Sequence, residues 1–200
     1  MAGPYGKSGG VWSAANPYGR LAGAWQPIQK IFENVSGSWV QRWIRFTPVT
    51  HTYTAGSGTE VVPTNASQVV ISVSGGGGGA MSASINGPGA PGGNATRTVA
   101  LSASDWGAGI AYHVGTGGAG TTTTPAGAGG ASTVTGTLSA ITLNMTGGGG
   151  SGAGGTFTPG TASGGTTNTT GGGGAGGQPS GEPGVPGGYG TNGAVSFSYT

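Results

Sequence analysis

The residues able to do chemistry are few and far apart. The 200-residue chain holds two histidines, four acids, six lysines and arginines, and no cysteine. Without cysteine there is neither a disulfide framework nor a thiolate metal site. Glu33, Glu60, Asp105 and Glu182 are scattered, and with His51 and His113 they give no metal-ligand spacing. Asp105 and His113, with Glu182, are the acid–base candidates beyond residue 60, and no serine stands in a nucleophile-elbow context. His113 alternates with Ile110, Tyr112 and Val114, which suits an exposed histidine on a strand. Gly6-Lys7-Ser8 imitates the end of a phosphate loop, but Met1 stands where that loop needs its first glycine. Gly150-x-Gly152-x-x-Gly155 matches a dinucleotide fingerprint, yet no helical pattern follows it. The five Asn-x-Ser/Thr sequons, from Asn34 to Asn168, are what chance produces in so serine- and threonine-rich a chain. The expectation is a protein that is not an enzyme, with no catalytic residue, cofactor or resident metal.

Composition sets the next bound. Fifty glycines make a quarter of the chain, against a usual share of about 7%, and only 5% of residues are charged where about 25% is common. Disordered chains are typically charged and poor in β-branched residues. This chain is nearly uncharged and rich in Thr and Val, so simple disorder fits poorly. Low charge also gives little protection against association, which suits life inside an assembly. The N-terminus lacks the apolar run of a signal peptide, and no stretch is long enough to cross a membrane as a helix.

Two regions differ in kind. Residues 1–46 hold Trp12, Trp25, Trp39 and Trp43 but only 7 glycines, and carry Lys7, Arg20, Lys30, Arg42 and Arg45 against Glu33. Five dispersed cations form no nucleic-acid footprint. Gly23-Ala-Trp25-Gln-Pro-Ile and Gly37-Ser-Trp39-Val-Gln-Arg repeat 14 residues apart, and Gly-x-Trp followed by β-formers predicts turns leading into short strands. Ile28, Ile31, Phe32 and Val35 also fit helical spacing, with Pro27 at a first turn, but strands are the favoured reading. Four tryptophans exceed what so small a core needs, so some should face a partner.

From residue 47 onward, apolar alternation marks strands at Tyr53, at Val61 and Val62, and at Val69, Ile71 and Val73. It recurs at Val99 and Leu101, at Ile110 to Val114, at Ile141 to Met145, and at Val195 to Tyr199. Several of these strands run straight into a glycine tract or emerge from one. A flexible linker has no reason to be so interrupted. Glycine tracts fold as left-handed helices with three residues per turn and no internal hydrogen bonds, whose backbone groups must pair with neighbouring segments. Glycine stands at every third position from Gly181 to Gly193, which suits that geometry, though four triplets are too few for a collagen helix. The predicted fold is all-β: a short N-terminal β module, residues 1–46, then a β-sandwich-like domain with polyglycine or polyproline-II segments, residues 47–200.

Thr50-His-Thr-Tyr53, Val61-Val-Pro63, Val69-Val-Ile-Ser-Val73 and Gly75 to Gly79 resemble, in order, the opening of glycine-rich domains of bacteriophage tail fibre and tail tip proteins. His113-Val-Gly115 to Gly120, Gly129-Gly-Ala-Ser-Thr133 with Leu138-Ser-Ala140 and Gly147 to Gly150, and Gly188-Tyr-Gly190 with Gly193-Ala-Val-Ser-Phe197 resemble later landmarks of that family. One departure is that Ile141 to Thr146 stand between the alanine and the glycine run, and are read as extending the strand. The resemblance implies a polyglycine sandwich whose exposed loops contact the bacterial surface. It implies a virion protein of the phage tail, made in the host cytoplasm and present as a homo-oligomer or in several copies. Its partners would be other tail proteins and a protein or glycan receptor, not nucleic acid. The alternative is a purely structural tail or head component without receptor contact. On this reading Trp12, Trp25, Trp39, Trp43, Arg42 and Arg45 dock the chain to its neighbours. Asn86, Thr122, Thr123, Thr167, Asn168 and Tyr189 lie on receptor-facing loops.

Overall fold

In the computed structural model, residues 5–8, 11–14, 18–21, 24–28, 30–82, 87–122, 125–154, 156–182 and 184–200 are described; for 5–26 and 41–44 this extends to the backbone alone. The fold is all-β, with no helix of the α type among these residues. The chain forms two compact units, residues 1–47 and 48–200.

The first unit is three β-hairpins, each a separate two-stranded sheet. They are β1 (Tyr5–Ser8) with β2 (Val11–Ala14), β3 (Tyr18–Leu21) with β4 (Ala24–Pro27), and β5 (Lys30–Val35) with β6 (Ser38–Ile44). The stretch with helical spacing is thus strand β5. Ser36 and Gly37, with φ of 52° and 87°, make the tight turn that joins it to β6.

The second unit is built on two five-stranded antiparallel sheets packed face to face. Its strands are β7 (Val49–Tyr53), β8 (Ser57–Val61), β9 (Gln68–Ser74), β10 (Asn94–Ala100), β11 (Gly109–His113), β12 (Ser132–Leu138), β13 (Ile141–Gly147), β14 (Ala162–Ser163), β15 (Thr167–Thr169) and β16 (Ala194–Tyr199). One sheet runs β15-β10-β9-β16-β7, the other β14-β13-β12-β11-β8. Strand alternation puts Val69, Ile71, Val73, Val195, Phe197 and Tyr199 of the first sheet in the core, facing Ile110, Val134, Leu143 and Met145 of the second. Tyr53 of β7 and Tyr112 of β11 stack across the sheets at 4.0 Å between ring centres, each set edge-on to Phe197.

Residues Ile141 to Thr146 do not extend a strand, as the sequence suggests. Ser139 and Ala140 adopt φ of 47° and 62° and reverse the chain, so that β13 is the return arm of a hairpin with β12. The stretch around Thr167 and Asn168, expected to be a loop, contains edge strand β15, paired to β10 with Thr96 opposite Thr167 and Ala95 opposite Asn168. Threonine's β-branched side chain favours the strand once an edge is offered to it.

Beyond the strands the glycine tracts form a bundle. Along 75–80 the backbone N–H groups donate in a repeating cycle of three. Gly75 and Gly78 reach Gly93 and Ala90; Gly76 and Gly79 reach Gly130 and Gly127; Gly77 and Ala80 reach Thr191 and Gly188. The carbonyls of the same residues accept in three more directions, from Gly174 and Gly177, Gly150 and Ala153, and Gly118 and Thr121. A cycle of three is the signature of the left-handed threefold helix, because each residue turns the backbone by a third of a revolution. Segment 75–80 is therefore the axis of a hexagon whose corners, in order, are 87–93, 148–153, 126–130, 115–121, 187–193 and 174–178. Hydrogen bonds join each corner to the next, for example Ala90 to Ser151, Gly129 to Gly150, Gly130 to Thr116, Gly190 to Gly118, Thr191 to Ala175 and Gly92 to Gly174. An eighth segment, 158–161, packs outside 148–151. Helices this close leave no room for side chains: a Cβ on Gly77 would fall on the Ala175 carbonyl, and one on Gly78 on that of Ser151.

The triplet stretch from Gly181 behaves in two ways. Residues 187–193 form a corner of the hexagon, but Gly184 takes φ of 77°, which belongs to a turn and breaks the helix before Gly187. Two Pro-Gly steps in sequence, Pro183-Gly184 and Pro186-Gly187, favour that reversal over continued threefold winding.

Candidate functional site

The hydrogen-bond register fixes the direction of every glycine segment. Segments 115–121, 148–153 and 174–178 run parallel to the axial 75–80, whereas 87–93, 126–130 and 187–193 run against it. The parallel segments leave the sandwich and the antiparallel ones return to it. The described residues that bound their connections, Ser82 and Gly87, Thr122 and Pro125, Gly154 and Phe157, and Pro179 and Pro186, therefore gather at the far end of the bundle. At about 3.1 Å per residue the six-residue axis carries them about 19 Å beyond the sheets.

Among the described residues, the end of the bundle is closed by a small apolar plug and two of the connections are tied by hydrogen bonds. Met81, at the end of the axis, is fully buried with Ala126 and Ala153 and plugs the bundle beneath the loops. The Ser151 hydroxyl donates to the Thr156 carbonyl at 3.1 Å and accepts from the Thr158 N–H at 2.9 Å, closing the loop between them. The Ser180 hydroxyl lies 2.7 Å from the Val185 carbonyl and 3.0 Å from that of Glu182, tying 180–185 into a turn. Above these ties stand Phe157, 55% exposed, and Val185, with Tyr189 on the outer flank at 73%. Glu182 is the one charge in the four connections. The surface is aromatic, hydroxyl-rich and almost neutral, and offers shape, stacking and hydrogen-bonding groups in place of charge.

The predicted loop residues distribute unevenly over this end. Thr122 lies in a tip connection and is half-buried, and Tyr189 borders the tip on segment 187–193. Asn86 and Thr123 belong to tip connections by position but lie outside the described residues. Thr167 and Asn168 are corrected: they sit not on a loop but on edge strand β15 of the sandwich, paired to the start of β10 beside the base of the bundle and away from the tip. Asn168 is further committed to its own turn, its side chain bonding Gly165 through both N–H and carbonyl at 3.1 Å.

The docking candidates fall on the hairpins. Trp12 lies on β2, Trp25 on β4, and Trp39, Arg42 and Trp43 on β6, with Arg45 just beyond it and half-buried. For Trp12, Trp25, Arg42 and Trp43 the side chains are outside the described set. Trp39 is 71% exposed, and Phe32, Val35 and Val40 are exposed with it on the same hairpin. The hairpins carry a third copy of the repeat, Gly10-Val-Trp12, which the two-copy reading misses. In all three the tryptophan is the second residue of the second strand, paired with Lys7, Arg20 and Asn34 respectively. An aromatic residue seven positions earlier (Tyr5, Tyr18, Phe32) was the signal that would have revealed it.

The titratable residues act as ties. Asp105 and His113 do not meet: the Ser57 hydroxyl and His113 Nδ1 are 2.7 Å apart on the exposed face of the second sheet. Asp105 is buried, accepting from the Ser102 N–H and hydroxyl at 2.7 Å and from the Ser139 N–H at 2.6 Å, with the Ser139 hydroxyl as fourth donor. Burial opposes its ionisation, but the Ser139 and Ser102 hydrogen bonds outweigh it and hold the carboxyl well below the usual range. Sequence reasoning passed over another pairing. Glu60 of β8, 3% exposed, accepts from the Tyr53 hydroxyl at 2.7 Å and lies 2.8 Å from His51 Nδ1, both on β7. This buried carboxylate ties the two sheets together. Its hydrogen bond, followed by burial, pushes the Tyr53 phenol up to about 12, and burial raises the adjacent Tyr199 phenol further. Among the described residues, no three of His, Asp and Glu converge as a metal site would require.

No protein family matches the chain, and no curated protein matches it either.

Proposed function

We propose that this chain is a bacteriophage virion protein of the tail tip or tail fibre that binds the host surface noncovalently through the four connections at the end of its glycine bundle. One observation carries the reading: eight interlocked glycine segments carry four short connections to one end of the bundle, about 19 Å from the sandwich, and side-chain hydrogen bonds tie two of them. Such a stalk has no use in an enclosed filler, whereas a receptor-binding tip gains from it, because a loop already ordered loses little entropy on binding. The order of landmarks shared with tail proteins supports the same reading. The tryptophan hairpins of residues 1–46 dock the chain to other tail proteins, with Trp39 as the exposed anchor. The protein is not an enzyme on this reading; His51, Glu60 and Asp105 hold the fold.

The test uses phage particles carrying the chain with 180–185 and 154–157 replaced by Gly-Ser of equal length. The expected result is normal assembly, an unchanged melt of the purified chain, and adsorption to the host reduced by about 100-fold, the loss of about 2.7 kcal/mol. Particles that assemble and adsorb at the wild-type rate would overturn the receptor reading and leave a purely structural role.

A further inference from the structure

We propose that the flank of the glycine bundle holds a second binding site, a groove along 148–152 that accepts an extended glycine-rich segment of another polypeptide in the same left-handed threefold conformation. The site lies on the side of the bundle and does not depend on the tip loops or on what they bind.

A threefold helix has six neighbour positions, three to which it donates and three from which it accepts. In segment 148–153, Gly150 and Ala153 donate to Gly76 and Gly79, and Gly148 and Ser151 donate to Thr161 and Thr158. The carbonyls of Gly148 and Ser151 accept from Gly93 and Ala90, and those of Gly150 and Ala153 accept from Gly129 and Ala126. Two of the three phases are complete. In the third phase, Gly149 and Gly152, neither the N–H nor the C=O meets a partner among the described residues. Their groups point at two adjoining vacant positions between 126–130 on one side and 158–161 on the other. An open groove of about 290 Å³ occupies this place, floored by 148–151 and walled by Ala128 and 158–161.

The occupant follows from continuity with the packing already present. Segment 158–161 fills the next position around the same helix by pairing with it at three-residue intervals, Gly148 to Thr161 and Ser151 to Thr158. A ligand for the vacant phase must offer N–H and C=O groups at that same interval. A β-strand repeats every two residues and falls out of phase, and an α-helix has its groups already paired. No charged side chain lines the groove, so a charged tail gains nothing there. Close approach to a glycine floor requires glycine on the facing side of the ligand, hence glycine at about every third residue. A second copy of this chain would have to unpack its own bundle to supply one, which favours a separate glycine-rich segment.

The test titrates the full chain, isotopically labelled, with a synthetic peptide copying residues 181–193, which has glycine at every third position, and with a scrambled peptide of the same composition. The expected result is amide shifts at Gly149, Ser151 and Gly152 with the ordered peptide alone, and about tenfold slower hydrogen exchange at Gly149. Ala128→Phe, at an exposed position, fills the groove; it should abolish these shifts while the remaining amide spectrum and the melt stay as in the parent. Ala128→Lys should do the same if the aromatic variant folds poorly. Equal shifts with the scrambled peptide, shifts that survive both variants, or none at millimolar peptide would overturn the proposal. So would sedimentation showing a dimer of the free chain that Ala128→Phe dissociates, since that assigns the groove to a second copy.

Discussion

At the scale of single residues, two buried carboxylates do structural work that their chemistry makes measurable. Asp105 accepts four hydrogen bonds, two of them from Ser139, which sits with Ala140 in the left-handed region where residues with a Cβ are strained. Removing the carboxylate leaves that strain without the hydrogen bonds that offset it and leaves buried donors unpaired. Asp105→Ala should cost about 3 kcal/mol, lowering the melting temperature by about 10 °C, which calorimetry reads directly. Because the folded carboxyl titrates below its unfolded value of about 3.9, the stabilisation is complete above that pH and drains away as the solution is acidified below it. Asp105→Asn should therefore show a shallower fall in stability below pH 4 than the parent. Tyr53 behaves oppositely. Its phenol is raised to about 12, so its contribution is complete below pH 10 and is lost as the pH rises towards 12. In a spectroscopic titration of the folded protein Tyr53 should ionise late, and Tyr53→Phe should remove that late component while costing about 2 kcal/mol.

Elements are governed by one geometric fact, the closeness of threefold helices. The axis at 75–80 has neighbours on all six sides, so a methyl group there has nowhere to go. Gly77→Ala should cost about 4 kcal/mol or more, because the obstruction is the Ala175 backbone and not a movable side chain. Gly181→Ala, at a tip position open to solvent, should change the melt by less than about 0.5 kcal/mol. Comparing these two variants by thermal denaturation separates the need for a missing side chain from mere glycine content. If Gly77→Ala melts like the parent, the packed bundle is wrong. The hairpins obey a different rule: Gly-x-Trp recurs where each second strand begins, and each hairpin is a separate two-stranded sheet, a form that is marginal in water by itself.

At the largest scale, sandwich and bundle belong to one compact unit, residues 48–200, and share a continuous backbone. Strand β9 runs directly into the axis, and β10, β11, β12, β13 and β16 each border a corner segment. Damage to the bundle should therefore reach the aromatic core of Tyr53, Tyr112 and Phe197. In Gly77→Ala, the near-ultraviolet signal of that core should melt at the same lowered temperature as the far-ultraviolet signal of the backbone. Two separate transitions would show that the bundle is an appendage. Residues 48–200, expressed alone, should retain that single transition, since this unit has its own core.

Much of this was readable from residues alone. Period-two alternation marked β9, β11, β13 and β16 and the inward residues of each, since burying one face of a strand leaves its imprint on every second position. The interruption of glycine tracts by such strands argued for order, and glycine's lack of Cβ for threefold packing. The pairings of the bundle were beyond reach, because glycine carries no side chain to record its neighbour and all such tracts look alike in sequence. Edge strand β15, the Ser139–Ala140 reversal, and the Glu60 tie to His51 and Tyr53 were likewise settled only in three dimensions, where contacts between distant segments outweigh local propensity. The same holds for the gathering of four connections at one end. Residue types decided that the chain must pack backbone against backbone; the tertiary structure decided which backbone meets which, because only the register of interstrand hydrogen bonds carries that choice.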